Sequence, residues 1–154
     1  MSIKDRIDDA FVLWNSDRKE GAWIMGLVAA AATSKKRHPR PVQDNEAFKQ
    51  FINAAAVQIM SGDPTKPGVQ IVLGTQEEGI TLGELLYKEM RCCLLHEAVL
   101  GSGVALSPSK IVDGKLHATF KVGEAGEPNE IPDFVVWNLL QAVKDAEENK
   151  GEFT

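Results

Sequence analysis

GAWIMGLVAAAA, Gly21 to Ala32, decides the fold. A helix built from this run is apolar on nearly every side, so it has no face to offer water and must be packed all round by other elements. The run falls well short of the ~20 residues that cross a bilayer, so it reads as the central helix of a globular bundle, with no membrane partner expected. Upstream, Ile3, Ile7, Ala10, Phe11 and Trp14 recur at helical spacing, with Lys4, Asp5, Asp8 and Asp9 on the opposite face. NSDRKEG, Asn15 to Gly21, is then a short turn or a solvated patch on a continuing helix, and Asp17 is a natural N-cap for the central helix. That helix is expected to end before SKKRHPRP, Ser34 to Pro41, because Pro39 and Pro41 lack backbone donors and disfavour helix at the residue before each.

Downstream, Phe48, Phe51, Ile52, Ala55 and Ile59 mark a third amphipathic helix that stops at SGDPTKPG, Ser61 to Gly68. VQIVL, Val69 to Leu73, reads as a short strand or extended connector, and GTQEEG as a turn. TLGE, Thr81 to Glu84, is a capping box opening a helix that carries RCCLLHEA, Arg91 to Ala98, and ends near Gly101. Asp113-Gly114 between short apolar runs signals a β-hairpin over about residues 104–122. Pro132 fits the first turn of a last helix, about 132–148, with Val135, Val136, Leu139, Val143 and Ala146 inward and a charged, frayed end at EENKGEFT. The expected fold is mainly α: a bundle of four to five helices with a small β-hairpin insertion before the last helix. At 154 residues, 44% of them hydrophobic, the chain fits one domain, residues 1–154, able to bury about two-thirds of its unfolded surface.

Charge and cysteine usage narrow the function. A net charge of -5 gives no global pull toward polyanions, so any phosphate site must be local. The densest basic cluster, Lys35, Lys36, Arg37 and Arg40, is the candidate phosphate-binding patch; cations closing a helix would look the same. The only two cysteines, Cys92 and Cys93, are adjacent and form no CxxC motif, a usage that suits a reducing, cytoplasmic setting. The N-terminal MSIKDRIDDA has no basic-then-apolar signal pattern. Without HxxxH or CxxC spacing, neither a metal site nor a cofactor is expected.

RCCLLHEA holds the remaining chemistry. On a helical wheel Arg91 shares a stripe with Glu84, Tyr87 and Lys88, whereas His96 shares one with Glu89, Cys92 and Cys93, so an Arg–His contact within one chain is not automatic. The segment reads as a core helix with a snorkelling Arg and a satisfied His, or as a reactive site. A Cys92 nucleophile activated by His96 would need an electropositive, exposed setting that this leucine-rich stretch does not suggest.

Arg91, four residues, then His96, late in a bundle of amphipathic helices, resembles the R-x4-6-H motif of the HEPN superfamily. YKEMRCCLLHEA is similar to the corresponding helix of bacterial HEPN-like proteins, and the helix order resembles that family over roughly the first 100 residues. The resemblance implies a metal-independent endoribonuclease whose site forms where two subunits meet, with Arg91 and His96 catalytic. RNA, a homodimer partner and a cognate inhibitory protein in a toxin–antitoxin or defence setting are the partners it implies. A shared site would let Arg91 of one chain and His96 of another converge on one phosphate. His96 would move the 2′-hydroxyl or leaving-group proton, and Arg91 would hold the phosphate charge. Tyr87, Cys92 and Glu97 are the supporting candidates. Many catalytic members carry a polar residue where this chain has Cys92. The alternatives are a catalytically inactive HEPN-like dimerisation or binding module, and a stand-alone regulatory helical domain.

Overall fold

The computed structural model describes residues 2–62, 72–73, 79–95, 104–117 and 129–153. Helix α1 (Ile3–Asn15) opens with a full capping box: the Ser2 hydroxyl accepts from the Asp5 N–H, and the Asp5 carboxylate accepts from the Ser2 N–H. The turn after it differs from expectation. Asp17 adopts φ 60, a left-handed conformation that Asp tolerates, and the N-cap falls on Arg18, which makes no side-chain capping bond.

Helix α2 (Lys19–Arg37) is the expected centre, with Ala22, Trp23, Leu27, Ala29 and Ala30 all fully buried. It packs against α1, against α3 (Asp44–Ala54), against α5 (Leu82–Leu95) and against α6 (Phe134–Asp145). Gly26 is where it approaches α6 most tightly: a Cβ there would lie 2.9 Å from the Leu140 Cδ2. The helix runs one turn further than the prolines suggested, so Lys35, Lys36 and Arg37 belong to it and not to a loop. Pro39 constrains only the residue before it, His38, which leaves the helix at φ -124, ψ 75, and three cations in the last turn suit the negative end of the helix.

The third amphipathic segment is two helices, not one. At Ala55 the N–H is shared between the Phe51 and Ile52 carbonyls, the tightened geometry of a helix end, and a new helix α4 (Ala56–Ser61) follows and closes on Gly62 at φ 80. The break re-aims the stripe. Phe48, Phe51 and Ile52 of α3 pack toward α2 and α5, whereas α4 packs on α6.

Among the described residues the β structure is three separate two-stranded pairs. β1 (Val72–Leu73) runs antiparallel to β2 (Ile80–Thr81), so the end of VQIVL is a strand. The hairpin at Asp113-Gly114 is present but begins at Lys110 and not at 104: β4 (Lys110–Val112) pairs with β5 (Lys115–His117), with φ 52 at Asp113 and φ 75 at Gly114, the two positive values of a type I′ turn, and the rest of the expected span, 118–122, lies outside the described residues. Residues 104–107 are not part of it. They form β3, which pairs in parallel with β6 (Asn129–Pro132), from Val104 opposite Asn129 to Ser107 opposite Pro132. Pro132 therefore ends a strand, where its missing donor is harmless, and does not begin the last helix.

That helix, α6, spans Phe134–Asp145, with Val135, Val136, Leu139 and Val143 fully buried. EENKGEFT is not frayed. Glu147–Glu152 form a 3-10 helix, and the buried Asn149 amide donates to the Thr33 hydroxyl (2.8 Å) and the Val143 carbonyl (2.9 Å). Among the described residues six α-helices, four of them (α1, α3, α5 and α6) packed on the central α2, join small strand pairs in a mainly helical bundle.

Candidate functional site

Helix α5 carries the motif, and its start is firmly held. The Thr81 hydroxyl accepts from the Glu84 N–H (3.1 Å), and Asn53 of α3 accepts from the Gly83 N–H through its Oδ1 (2.8 Å). Gly83 is glycine because α3 presses on it: a Cβ would sit 2.6 Å from the Lys49 carbonyl oxygen. One turn along, half-buried Tyr87 packs on Phe48 with ring centroids 5.9 Å apart, and the Lys49 ammonium lies 5.4 Å from the tyrosine ring centre. Arg91 and Cys92 occupy the following turns of α5. His96 and Glu97 lie outside the described residues.

The basic cluster divides into bound and open members. Lys35 pairs with Asp44 at 3.2 Å, and Lys36 with Glu152 at 3.3 Å. Arg37 is the most committed: its Nε and Nη2 donate as a fork to the two Glu148 oxygens at 2.9 and 3.1 Å, and its guanidinium lies 4.8 Å from the Phe51 ring centre. The hydrogen bonds from Arg37 outweigh partial burial and hold the Glu148 carboxyl below the ordinary glutamate range. Arg40 stands exposed on the connection between α2 and α3. It lines a hollow of about 440 Å³ together with Gln43, Asn45 and Tyr87. One member of each candidate group, Arg40 and Tyr87, thus meets the other at one place, beside the Asp44 carboxylate.

A polar cluster that the motifs did not flag lies elsewhere in the bundle. Asp133, 9% exposed, accepts from the Lys19 ammonium at 2.7 Å and from both the N–H and the hydroxyl of Ser109. Lys19 also lies 5.3 Å from the Trp14 ring centre. Burial pushes the Asp133 carboxyl up, but the bonds from Lys19 and Ser109 together hold it below its usual range, while the bond to Asp133 raises the Lys19 ammonium. Both groups therefore stay charged through neutrality, which suits a clamp and does not suit proton transfer. The cluster borders an open cavity of about 750 Å³ with Leu13, Ile24, Leu106 and Pro108 as its apolar wall. Asp133 directly before an apolar helix was the signal available in the sequence. It reads as a simple cap there, and only the tertiary structure brings Lys19 to it, 114 residues away.

Fold and site together define a mainly helical protein in which Arg40 and Tyr87 line one hollow at the junction of α2, α3 and α5. The chain belongs to the Rv1289 family, whose model matches residues 2–154. No curated protein and no solved structure matches it. Among the described residues, no helix is long and apolar enough to cross a membrane, and no three His, Cys, Asp or Glu side chains gather as metal ligands.

Proposed function

We propose that this chain is a HEPN-like RNA-binding protein whose working face runs from the basic end of α2, across the α2–α3 connection, to the middle of α5. The observation that carries the reading is the shared hollow of Arg40 and Tyr87, since position 91 follows Tyr87 by one helical turn on the same stripe of α5. A guanidinium suits a phosphate and a phenol hydroxyl suits a base edge or ribose. In the homodimer this reading requires, Arg91 holds the scissile phosphate, and His96 of the other chain takes the 2′-hydroxyl proton and returns one to the leaving oxygen, without metal. The adjacent cysteines fit a cytoplasmic protein, and a cognate inhibitory protein is the partner such an RNase needs in a toxin–antitoxin or defence setting.

A second reading, binding without cleavage, is favoured by Cys92 standing where many catalytic members have a polar residue. One experiment separates the two. Purified protein in EDTA is incubated with single-stranded RNA, and the products are examined for 2′,3′-cyclic phosphate ends. The nuclease reading expects cleavage that Arg91→Ala and His96→Ala each abolish, with Arg40→Ala weakening RNA binding. Binding with no cleavage leaves the second reading; no binding at about 50 mM salt, where phosphate contacts are strongest, refutes both.

A further inference from the structure

We infer that the acidic C-terminal 3-10 helix is a built-in competitor for phosphate, covering two of the cations on the proposed RNA-binding face. The inference rests on that RNA-binding reading. Two contacts carry it. Glu148 presents both carboxylate oxygens to the Nε and Nη2 of Arg37, and Glu152 takes the Lys36 ammonium at 3.3 Å. The Nε–Nη2 edge of a guanidinium is also the edge that grips a phosphate in a two-pronged bond, so the Glu148 carboxylate occupies the position a phosphate oxygen pair would take.

Arg37 is held in place by more than its acidic partner. Arg37 lies on the Phe51 ring, and it ends a helix whose last turn also carries Lys35 and Lys36. Neutralising the glutamates therefore leaves Arg37 seated on the Phe51 ring, with Lys36 released in the same helical turn. The 3-10 helix itself is pinned by buried Asn149 between Thr33 and Val143, so the exchange takes place at the side chains while the backbone of the segment stays docked. The strength of the cover is electrostatic, and an incoming polyanion competes with it directly.

The test compares the full-length parent with Glu148→Gln/Glu152→Gln, using a fluorescein-labelled single-stranded RNA and anisotropy from about 50 to 200 mM salt. Two further phosphate contacts on a single strand steepen the dependence of log affinity on log salt by about 1.4. The double variant therefore binds more tightly at low salt and loses about seven-fold more of its affinity over that range than the parent does. Asp9→Asn/Asp113→Asn removes the same net charge at two exposed carboxylates that pair with neither Lys36 nor Arg37, and its salt slope stays at the parent value. Adding Lys36→Ala/Arg37→Ala to the glutamine variant returns the slope to that of the parent. Circular dichroism on each variant confirms that the helices remain. If the parent binds RNA and Glu148→Gln/Glu152→Gln changes neither affinity nor slope, the competitor role is overturned while the RNA-binding reading stands. An equal gain in the Asp9/Asp113 control overturns it as well. Absence of binding in every variant at low salt overturns the RNA-binding reading and the competitor with it.

Discussion

Asp133→Asn is the sharpest probe of how this bundle is held together. The carboxylate is 9% exposed and accepts three bonds, from Lys19 at 2.7 Å, from the Ser109 N–H at 3.2 Å and from the Ser109 hydroxyl. It thereby ties the start of α2 to the hairpin and to the start of α6. Asparagine keeps the shape and one acceptor oxygen but loses the charge, leaving the partly buried ammonium with the exposed and more distant Asp17 carboxylate, at 3.8 Å, as its counter-ion. A charged hydrogen bond contributes about 1.5–3 kcal/mol. Lys19 keeps about a third of its side chain in solvent, so screening brings the expected loss to about 2 kcal/mol. For a chain of this size that lowers Tm by about 4–8 °C. A double-mutant cycle with Lys19→Met, followed by urea denaturation, isolates the pair. The pH dependence has a definite sign. The Asp133 carboxyl is lowered in the folded state, so its contribution is complete above the unfolded value, near 3.8, and drains away as pH falls through the folded value. Lys19 is raised above 10.5, so its contribution is complete below that pH and is lost only as pH rises through the folded value. Coupling should be level from about pH 5 to 9 and fall below about pH 4, from the ordinary pKa values of the two groups. A coupling of the same size at pH 2.5 and pH 7, or none at pH 7, would refute the ion-pair account.

Two further substitutions test the packing. Gly83→Ala places a methyl 2.6 Å from the Lys49 carbonyl; strain of up to about 3 kcal/mol against a helix-propensity gain near 1 predicts a net loss of about 2 kcal/mol by urea denaturation. Gly151→Ala, where no heavy atom lies within 4 Å of the added carbon, should be nearly neutral, and equal effects at the two sites would discredit the close α3–α5 approach. Asn149→Ala removes two buried hydrogen bonds and should lower stability by about 2 kcal/mol while speeding amide exchange over residues 147–153; unchanged exchange there would show that the amide does not anchor the segment.

The sequence was legible where one local signal ruled. Gly21–Ala32 had to be central because no face of it tolerates water, and Asp113-Gly114 had to turn because its positive φ values favour those residues. It was misleading where two local signals competed. Pro39 and Pro41 argued for an early end to α2, yet proline constrains only its predecessor, and the cations of the last turn favoured continuing to Arg37. Ala54, Ala55 and Ala56 look like continuous helix, but their small side chains resist no bend, so tertiary packing set the break. The β3–β6 pair was hidden because its strands lie more than twenty residues apart, with neither turn chemistry nor strict alternation to announce a parallel pairing. At the candidate site, residue types were legible and partners were not. Arg37 read as an open cation, and only the fold brings Glu148 to it from 111 residues away.

The same competition between local and distant partners explains why α3 matters to function more than its length suggests. Phe48 packs under Tyr87, and Phe51, three residues on, lies beside Arg37. Side chains three apart share a helix face, so one rigid face of α3 supports both halves of the proposed working surface. The opposite ends of that helix make the fit firmer. Asp44 in its first turn pairs with Lys35, and Asn53 near its last turn caps α5. Lys49 closes the arrangement from between them, with its carbonyl oxygen against Gly83 and its ammonium near the Tyr87 ring. The distance from the basic end of α2 to the tyrosine-bearing face of α5 is therefore set by the buried face of an amphipathic helix and not by the exposed loop that connects α2 to α3. In the proposed phosphate-binding face Arg37 and Tyr87 are thus held at a fixed spacing by α3, whereas Arg40, exposed on the α2–α3 connection, loses conformational freedom when it takes a phosphate.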